Sequence, residues 1–181
     1  VGELRLTGIT GTNGKTTTTA LVRHLFNANG TAGSIGTLGA FDGEGKPVPS
    51  TAGSLTTPGP IDLQATLAAL VERGVTHVAM ETSSHSLDQG RLDGLTFAAG
   101  IFTNLTRDHL DYHGSEAAYA AAKRRLFEQA ALRLAVLWGE DPASAAMRAA
   151  LSASCEVVWA GFAPYQGRLG SGASRLWVRA M

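Results

Sequence analysis

Seven residues near the start, Gly11-Thr12-Asn13-Gly14-Lys15-Thr16-Thr17, limit the folds open to this 181-residue chain more than any other segment. An apolar alternation (Leu4, Leu6, Ile9) precedes them and a helical pattern follows, so the string sits where a strand turns into a helix. Glycines in such a turn let backbone N–H groups face an anion, and the helix N-terminus adds partial positive charge. Lys15 is then placed to reach the β- and γ-phosphates of ATP, and the Thr16 hydroxyl to ligate Mg²⁺. On this reading Gly11, Thr12, Asn13, Gly14, Lys15, Thr16 and Thr17 bind the nucleotide. The strict pattern, with four residues between the glycines, is not met: Gly8 stands six places before Gly14, and Ile9 holds the fifth. Four consecutive threonines, Thr16 to Thr19, are poor helix formers. Their presence makes sense if hydroxyls are wanted there.

The rest of the chain alternates short apolar runs with helical patterns. Residues 4–9 read as a strand, and the first helix sets Leu21, Val22, Leu25 and Phe26 on one face, with Gly30 closing it. A second strand is expected over 32–38, with Asp42-Gly43-Glu44-Gly45 as a turn behind it. A Thr/Pro/Gly loop (50–60) leads to an amphipathic helix carrying Leu63, Leu67, Leu70 and Val71, closed by Gly74. Further strands are expected at 75–82, 98–105, 134–138 and 156–160. Ser115 caps a helix reaching about Ala131, and Asp141-Pro142 starts another. This alternation predicts an α/β fold, a doubly wound and mostly parallel sheet with helices on both faces.

Bulk properties exclude several classes. Fifteen basic and fifteen acidic side chains cancel, which argues against nucleic acid or an anionic membrane as partner. No apolar run approaches the roughly 20 residues of a bilayer span, and no signal peptide opens the chain. A single cysteine, Cys155, suits a reducing compartment. The expected location is cytoplasmic. Both ends read as cut from a longer enzyme: the chain starts at Val1 without a methionine, and a Gly/Ser stretch (167–174) precedes Arg175-Leu176-Trp177-Val178, a short strand with no obvious partner.

Three residues carry the remaining chemistry. Glu81 ends the strand Val78-Ala79-Met80, and ligands in open α/β sheets bind beyond the carboxyl ends of strands. It is either a solvated strand-end carboxylate or a ligand of the loop's metal. The exit of the next strand, residues 103–109, crowds polar groups together, among them Asn104, Asp108 and His109, with Asp111 and His113 just beyond. Lys123 lies at the edge of an inward stripe made of Tyr119, Ala122, Leu126, Phe127 and Ala130. A lysine there either snorkels to water or is desolvated, with a lowered pKa. A neutral amine reacts with CO₂ to give a carbamate, which replaces a cation with an oxygen ligand.

Together these strings resemble the central domain of the Mur ligases, ATP-dependent enzymes that build the peptidoglycan stem peptide. They are the loop 11–17, Thr56-Thr57-Pro58, Met80-Glu81-Thr82-Ser83-Ser84-His85, Asp88-Gln89-Gly90-Arg91, the run Thr103 to His113, and Ala121-Ala122-Lys123. Within the family they are most similar to the MurE type, which adds the third amino acid to UDP-MurNAc-L-Ala-D-Glu. The resemblance implies ATP and Mg²⁺ as cofactors, with Lys15, Glu81, His109 and Lys123 catalytic. It implies Thr16, Glu81, His109 and carbamylated Lys123 as metal ligands, and Asn104 on the nucleotide side. Thr56, Thr57, Ser83, Gln89 and Arg91 match positions that contact the muramoyl peptide. No role is implied for His85 or His113.

The resemblance covers residues 1–160 as the ATP-binding domain and leaves 161–181 as a tail or the start of a further part. It implies N-terminal and C-terminal domains that this chain lacks, and weak or no activity for the chain alone. Two other functions share parts of this pattern. A folylpolyglutamate or cyanophycin synthetase shares the loop but not the strings 81–85 and 108–113. A P-loop binding module without ligase activity has no need of Glu81, His109 and Lys123 together.

Overall fold

The computed structural model describes residues 4–28, 30–49, 55–162 and 173–177, the last for the backbone alone. A nine-stranded sheet runs through it in the order β4-β3-β2-β5-β1-β6-β7-β8-β9. At its centre is β1 (Arg5–Thr10), paired in parallel with β5 (His77–Glu81) on one side and β6 (Phe97–Phe102) on the other. Five of its six residues are buried, as a central parallel strand covered on both faces requires. Parallel pairing continues outward to β2 (Ala32–Gly36) and, on the other flank, to β7 (Leu134–Trp138) and β8 (Glu156–Gly161). The doubly wound α/β class is therefore as expected.

Between strands lie α1 (Lys15–Asn27), α2 (Pro60–Glu72), α3 (Ser84–Asp88), α4 (Leu110–His113), α5 (Glu116–Arg124) and α6 (Ser144–Ala150). The chain leaves β5 on one side of β1 and enters β6 on the other. The segments leaving β1, β5 and β6 consequently gather at one edge, the switch point where α/β sheets bind ligands. Packing fixes that edge. Leu126 and Phe127 are fully buried just after α5, and a Cβ on Gly8 of β1 would stand 2.8 Å from Leu126 Cδ1. Gly8, unmatched to the phosphate-loop pattern, thus serves close approach of strand and helix.

Several expectations are corrected. Leu21 and Leu25 are exposed at 57% and 64%, and the buried residue of α1 is Thr19. The helix packs mainly on β2 and β5, so only Val22 and Phe26 of the expected face are partly covered. Gly30 does not cap α1, which ends at Asn27. Asn27 instead receives the Ala32 N–H on its side-chain oxygen at 2.8 Å. The helix capped by Ser115 stops at Arg124, well short of Ala131, and tightens through bonds from Leu126 N–H to the Lys123 carbonyl and from Phe127 N–H to the Arg124 carbonyl; Ala130 is exposed. Pro142 precedes α6 by a turn rather than opening it. The Asp141 carboxylate caps that turn at Ala143 N–H (2.8 Å) and also accepts from Leu105 N–H (2.6 Å).

The sheet has edges that the alternation did not reveal. Residues β3 (Gly39–Phe41) and β4 (Pro47–Val48) add an antiparallel hairpin beside β2. The strand expected near 175–178 does have a partner: β9 (Ala173–Trp177) pairs in parallel with β8. The sheet therefore continues past the expected boundary at residue 160. Residues 50–54 of the Thr/Pro/Gly loop, and 167–172 of the Gly/Ser stretch, lie outside the described residues.

Candidate active site

The loop from Gly11 to Gly14 joins β1 to α1 as expected, and its shape depends on glycine. Gly11 has φ 148° and Gly14 φ 82°, and a Cβ on Gly11 would lie 1.9 Å from Thr103 Oγ1. No side chain caps α1, and its first turn holds no acidic residue, which suits an anion at the helix start. The exit of β6 holds the loop from below. Thr12 N–H donates to the Asn104 carbonyl (2.8 Å) and Asn13 N–H to Asn104 Oδ1 (3.0 Å). In return Asn104 Nδ2 and the Thr103 hydroxyl donate to the Asn13 carbonyl at 3.1 and 2.7 Å. Asn104, expected beside the nucleotide, braces the loop that would hold it.

Helix α5 reaches the loop from the other side. The Tyr119 hydroxyl donates to Thr12 Oγ1 at 3.2 Å, and Lys123 Nζ donates to the Gly11 carbonyl at 2.8 Å. Lys123 is 1% exposed, and its amine lies 4.2 Å from the centre of the Tyr119 ring. Desolvation, followed by the nearby charge of Lys15, lowers its pKa to about 7. Of the two readings open in the sequence, the structure takes the desolvated one. Lys15 donates to the Gly11 and Thr12 carbonyls at 3.0 and 2.8 Å, and burial lowers its pKa against the pull of Glu81 and Asp108.

Glu81 is buried, not solvated. Its carboxylate accepts the Thr37 N–H (2.9 Å) and hydroxyl (3.2 Å), so a residue of the β2–β3 turn orients it. Nothing in the sequence marked Thr37 for this. Glu81 and Thr16 border a cavity of about 190 Å³ between α1 and the β2–β3 hairpin. Both offer oxygen, the donor that a hard cation such as Mg²⁺ takes. A second cavity, about 270 Å³, is lined by Lys15, Thr56, Ser83, Arg91, His109 and Lys123 among others. The expected metal set is therefore divided between two cavities, Thr16 and Glu81 in one and His109 and Lys123, with Lys15, in the other. Among the described residues no group of three His, Cys, Asp or Glu side chains converges.

His109 stands at the start of α4 in a left-handed conformation, φ 50°, with Nε2 3.4 Å from Asp108. Its ring meets that of His85 (centroids 4.9 Å apart), which also packs on Tyr112 (4.2 Å) and His113 (5.4 Å). Burial lowers the pKa of both His85 and His113, with the neighbouring imidazoles adding to the effect. The two histidines without an expected role therefore form the wall behind His109.

Of the expected substrate residues, Thr56, Ser83 and Arg91 line this second cavity, and Gln89 joins them through its bond to Arg91. Thr57 is fully buried; its hydroxyl donates to the Glu81 carbonyl (2.8 Å) and accepts from Ser83 N–H (3.2 Å). Its side chain links two loops and does not face the cavity. Thr56 lies 3.2 Å from the Thr37 hydroxyl, and Ser83 caps α3 by accepting from Ser86 N–H. Arg91 donates to the Thr57 carbonyl (3.1 Å) and to Gln89 Oε1.

Comparison with known proteins gives the family. The family of the Mur ligase middle domain matches residues 9–168. The UDP-N-acetylmuramoyl-L-alanyl-D-glutamate–2,6-diaminopimelate ligase of Brucella melitensis is 46% identical over 156 residues, covering 84% of this chain and 31% of that protein. The ligase of the same name from Pseudomonas aeruginosa is 51% identical over 140 residues, 76% of this chain and 28% of the relative. The chain thus spans about a third of the length of the curated relatives it matches. A solved structure of a ligase so named superposes with a TM-score of 0.75 at 32% identity, over 90% of this chain and 33% of the other. A Mycobacterium tuberculosis folylpolyglutamate synthase superposes at 0.63 with 17% identity, over 89% and 45%, a likeness of fold alone.

Proposed function

As a member of the Mur ligase middle-domain family, the chain carries a site that we propose binds ATP with Mg²⁺ and activates a carboxylate of UDP-MurNAc-L-Ala-D-Glu for amide formation with an amino acid. The amino acid in the relatives' names is 2,6-diaminopimelate. The observation that carries this reading is the convergence of Lys15 and Lys123 on the Gly11 carbonyl, in a cavity that also holds Arg91 and His109.

ATP supplies the phosphoryl group that makes the carboxylate an acyl phosphate, and Mg²⁺ neutralises the charge in transfer. The residues of this chain bind and orient. Gly11 to Thr17 hold the phosphates, and Lys15 exchanges its two loop carbonyls for them. Thr16 and Glu81 would hold one Mg²⁺; His109 and Lys123, as a carbamate, would serve another. The neutral Lys123 amine favoured by its burial is the form that takes up CO₂. Thr56, Ser83 and Arg91 would form the wall toward the muramoyl peptide, with Gln89 supporting Arg91 and Thr57 keeping that wall in register. No protein nucleophile is required, because positioning and charge neutralisation carry the reaction.

We further assign the nine-stranded sheet, β9 included, to the ATP-binding domain of a longer enzyme, with other domains holding the UDP end and the amino acid. No helix among the described residues is long and apolar enough to cross a membrane, consistent with cytoplasmic work on a nucleotide-linked substrate. The test is ADP release by the full-length protein carrying this domain. It should require the muramoyl dipeptide, an amino acid and Mg²⁺ together, and yield the tripeptide. Glutamate ligation to a folate in place of that product would move the protein to the folylpolyglutamate type. Nucleotide binding without any ligation would make it a binding module.

A further inference from the structure

Arg91, on the rim of the cavity shared with Lys15 and Lys123, is held by a chain of hydrogen bonds whose direction chemistry fixes. A guanidinium has only donors, so the atom of Gln89 that meets its Nε (2.8 Å) and Nη2 is the amide oxygen. The amide nitrogen then faces the other way and donates to the Tyr112 hydroxyl at 3.1 Å. Having accepted there, the hydroxyl gives its own proton to Asp88 Oδ2, also at 3.1 Å. The other Asp88 oxygen is paired with Arg125 Nη2 at 3.2 Å, and Arg125 is anchored on the Leu87 and Asp88 carbonyls. Each link of the row Arg91, Gln89, Tyr112 donates toward Asp88. Turning the Gln89 amide over would set its NH₂ against the guanidinium.

The same accounting leaves Arg91 with a free edge. Of its five N–H groups, one on Nε and one on Nη2 meet Gln89, and one on Nη1 meets the Thr57 carbonyl. Among the described residues one N–H on each terminal nitrogen has no partner, which leaves the guanidinium two donors to offer a carboxylate. We propose that Tyr112 is a positioning residue for substrate binding: its hydroxyl locks the Gln89 amide, and through it holds the free edge of Arg91 toward a carboxylate of the acceptor substrate. This rests on the proposed function only in taking the Arg91 cavity as the acceptor's side. Tyr112 never touches the substrate in this scheme. It acts on Arg91 through one amide, from the opposite side of the Asp88–Arg91 turn.

The experiment uses the full-length enzyme that carries this domain, with KM measured separately for UDP-MurNAc-L-Ala-D-Glu and ATP. Tyr112→Phe keeps the ring against His85 and removes only the hydroxyl. It should raise KM for the muramoyl dipeptide about three- to tenfold, the range of one lost hydrogen bond, and leave KM for ATP unchanged. Arg91→Ala should raise the same KM further. In the Arg91→Ala background Tyr112→Phe should add nothing, since the two act through one contact. Asp88→Asn, which can turn an NH₂ toward the tyrosine, should follow Tyr112→Phe. If Arg91→Ala raises KM while Tyr112→Phe leaves it unchanged, or if the two effects add in full, the positioning role is overturned. If Arg91→Ala itself has no effect, the cavity is not the acceptor's and the reading beneath the proposal falls first. Thermal melts of each variant separate these outcomes from loss of fold.

Discussion

The amines of Lys15 and Lys123 meet at one atom: both donate to the carbonyl oxygen of Gly11, at 3.0 and 2.8 Å. Lys15 belongs to α1 and Lys123 to α5, so a single loop carbonyl joins the two helices on either side of the phosphate site. Two ammonium groups so near each other are unfavourable, and Lys15 is the second cause, after burial, of the depressed pKa of Lys123. An anion that draws Lys15 off the loop leaves Gly11 to Lys123 alone. On the proposed function, phosphate binding and the state of the buried lysine are therefore coupled.

Lys15→Ala removes two charge-assisted hydrogen bonds along with the cation meant for the phosphates. Affinity for ATP–Mg²⁺, measured by calorimetry, should fall at least about a hundredfold. The partly buried side chain contributes little to the core, so the melting temperature should change by only a few degrees. Equal affinity in the wild type and the variant would remove the nucleotide assignment.

Lys123 gives a pH signature of known sign. Its folded-state pKa is about 7 against an ordinary 10.5. Between those values the unfolded chain binds a proton that the folded chain does not, so this group makes stability rise with pH from about 7 toward 10.5. Lys123→Met should flatten that part of the stability–pH curve. In the full-length enzyme Lys123→Ala should lose most ligase activity, and bicarbonate or a short carboxylic acid should restore part of it. Labelled bicarbonate should give a carbamate resonance at about pH 8 that fades toward pH 6 as the amine protonates. Near-normal turnover of the alanine variant would end the carbamate idea and leave the nucleotide assignment standing.

Gly36 leaves room for the Glu81 carboxylate. A Cβ at that position would lie 2.2 Å from Glu81 Oε1, so Gly36→Ala must push the carboxylate out of its Thr37 bonds or shift β2. The expected cost is about 1–3 kcal/mol of stability. The informative readout is the Mg²⁺ concentration at half-maximal activity, which should rise while KM for the muramoyl dipeptide stays put. An unchanged Mg²⁺ requirement would mean that Glu81 does not hold the metal.

Tyr119→Phe tests the brace on Thr12 without emptying the core. The ring would still lie beneath Lys123, so the pH behaviour of that lysine should persist. Loss of the buried 3.2 Å bond to Thr12 should loosen the loop and weaken nucleotide binding about three- to tenfold. A variant with wild-type affinity for ATP would show that the remaining contacts, from Asn104, Thr103 and Lys123, suffice to fix the loop.

What the sequence determined by itself is local in origin. The strand–glycine–Lys15-Thr16 turn, the alternation behind the parallel sheet, the Ser115 cap and the strand ending at Glu81 were legible because each depends on neighbours a few residues away. Tertiary structure decided what depends on which surfaces meet. Lys123 sat at the edge of a helical stripe, and only the approach of α5 to the loop made it a buried amine on Gly11. Spacing could not show that α1 leaves Leu21 and Leu25 to solvent, because α1 packs on β2 and β5 through its other side. Asn104 and Thr57 carry polar side chains whose bonds from one loop to another no local pattern announces. The partner of β9 and the Thr37 grip on Glu81 were equally hidden. Backbone and side-chain hydrogen bonds between residues tens of positions apart leave no pattern in a single chain, since almost any residue can supply the N–H or carbonyl that completes them.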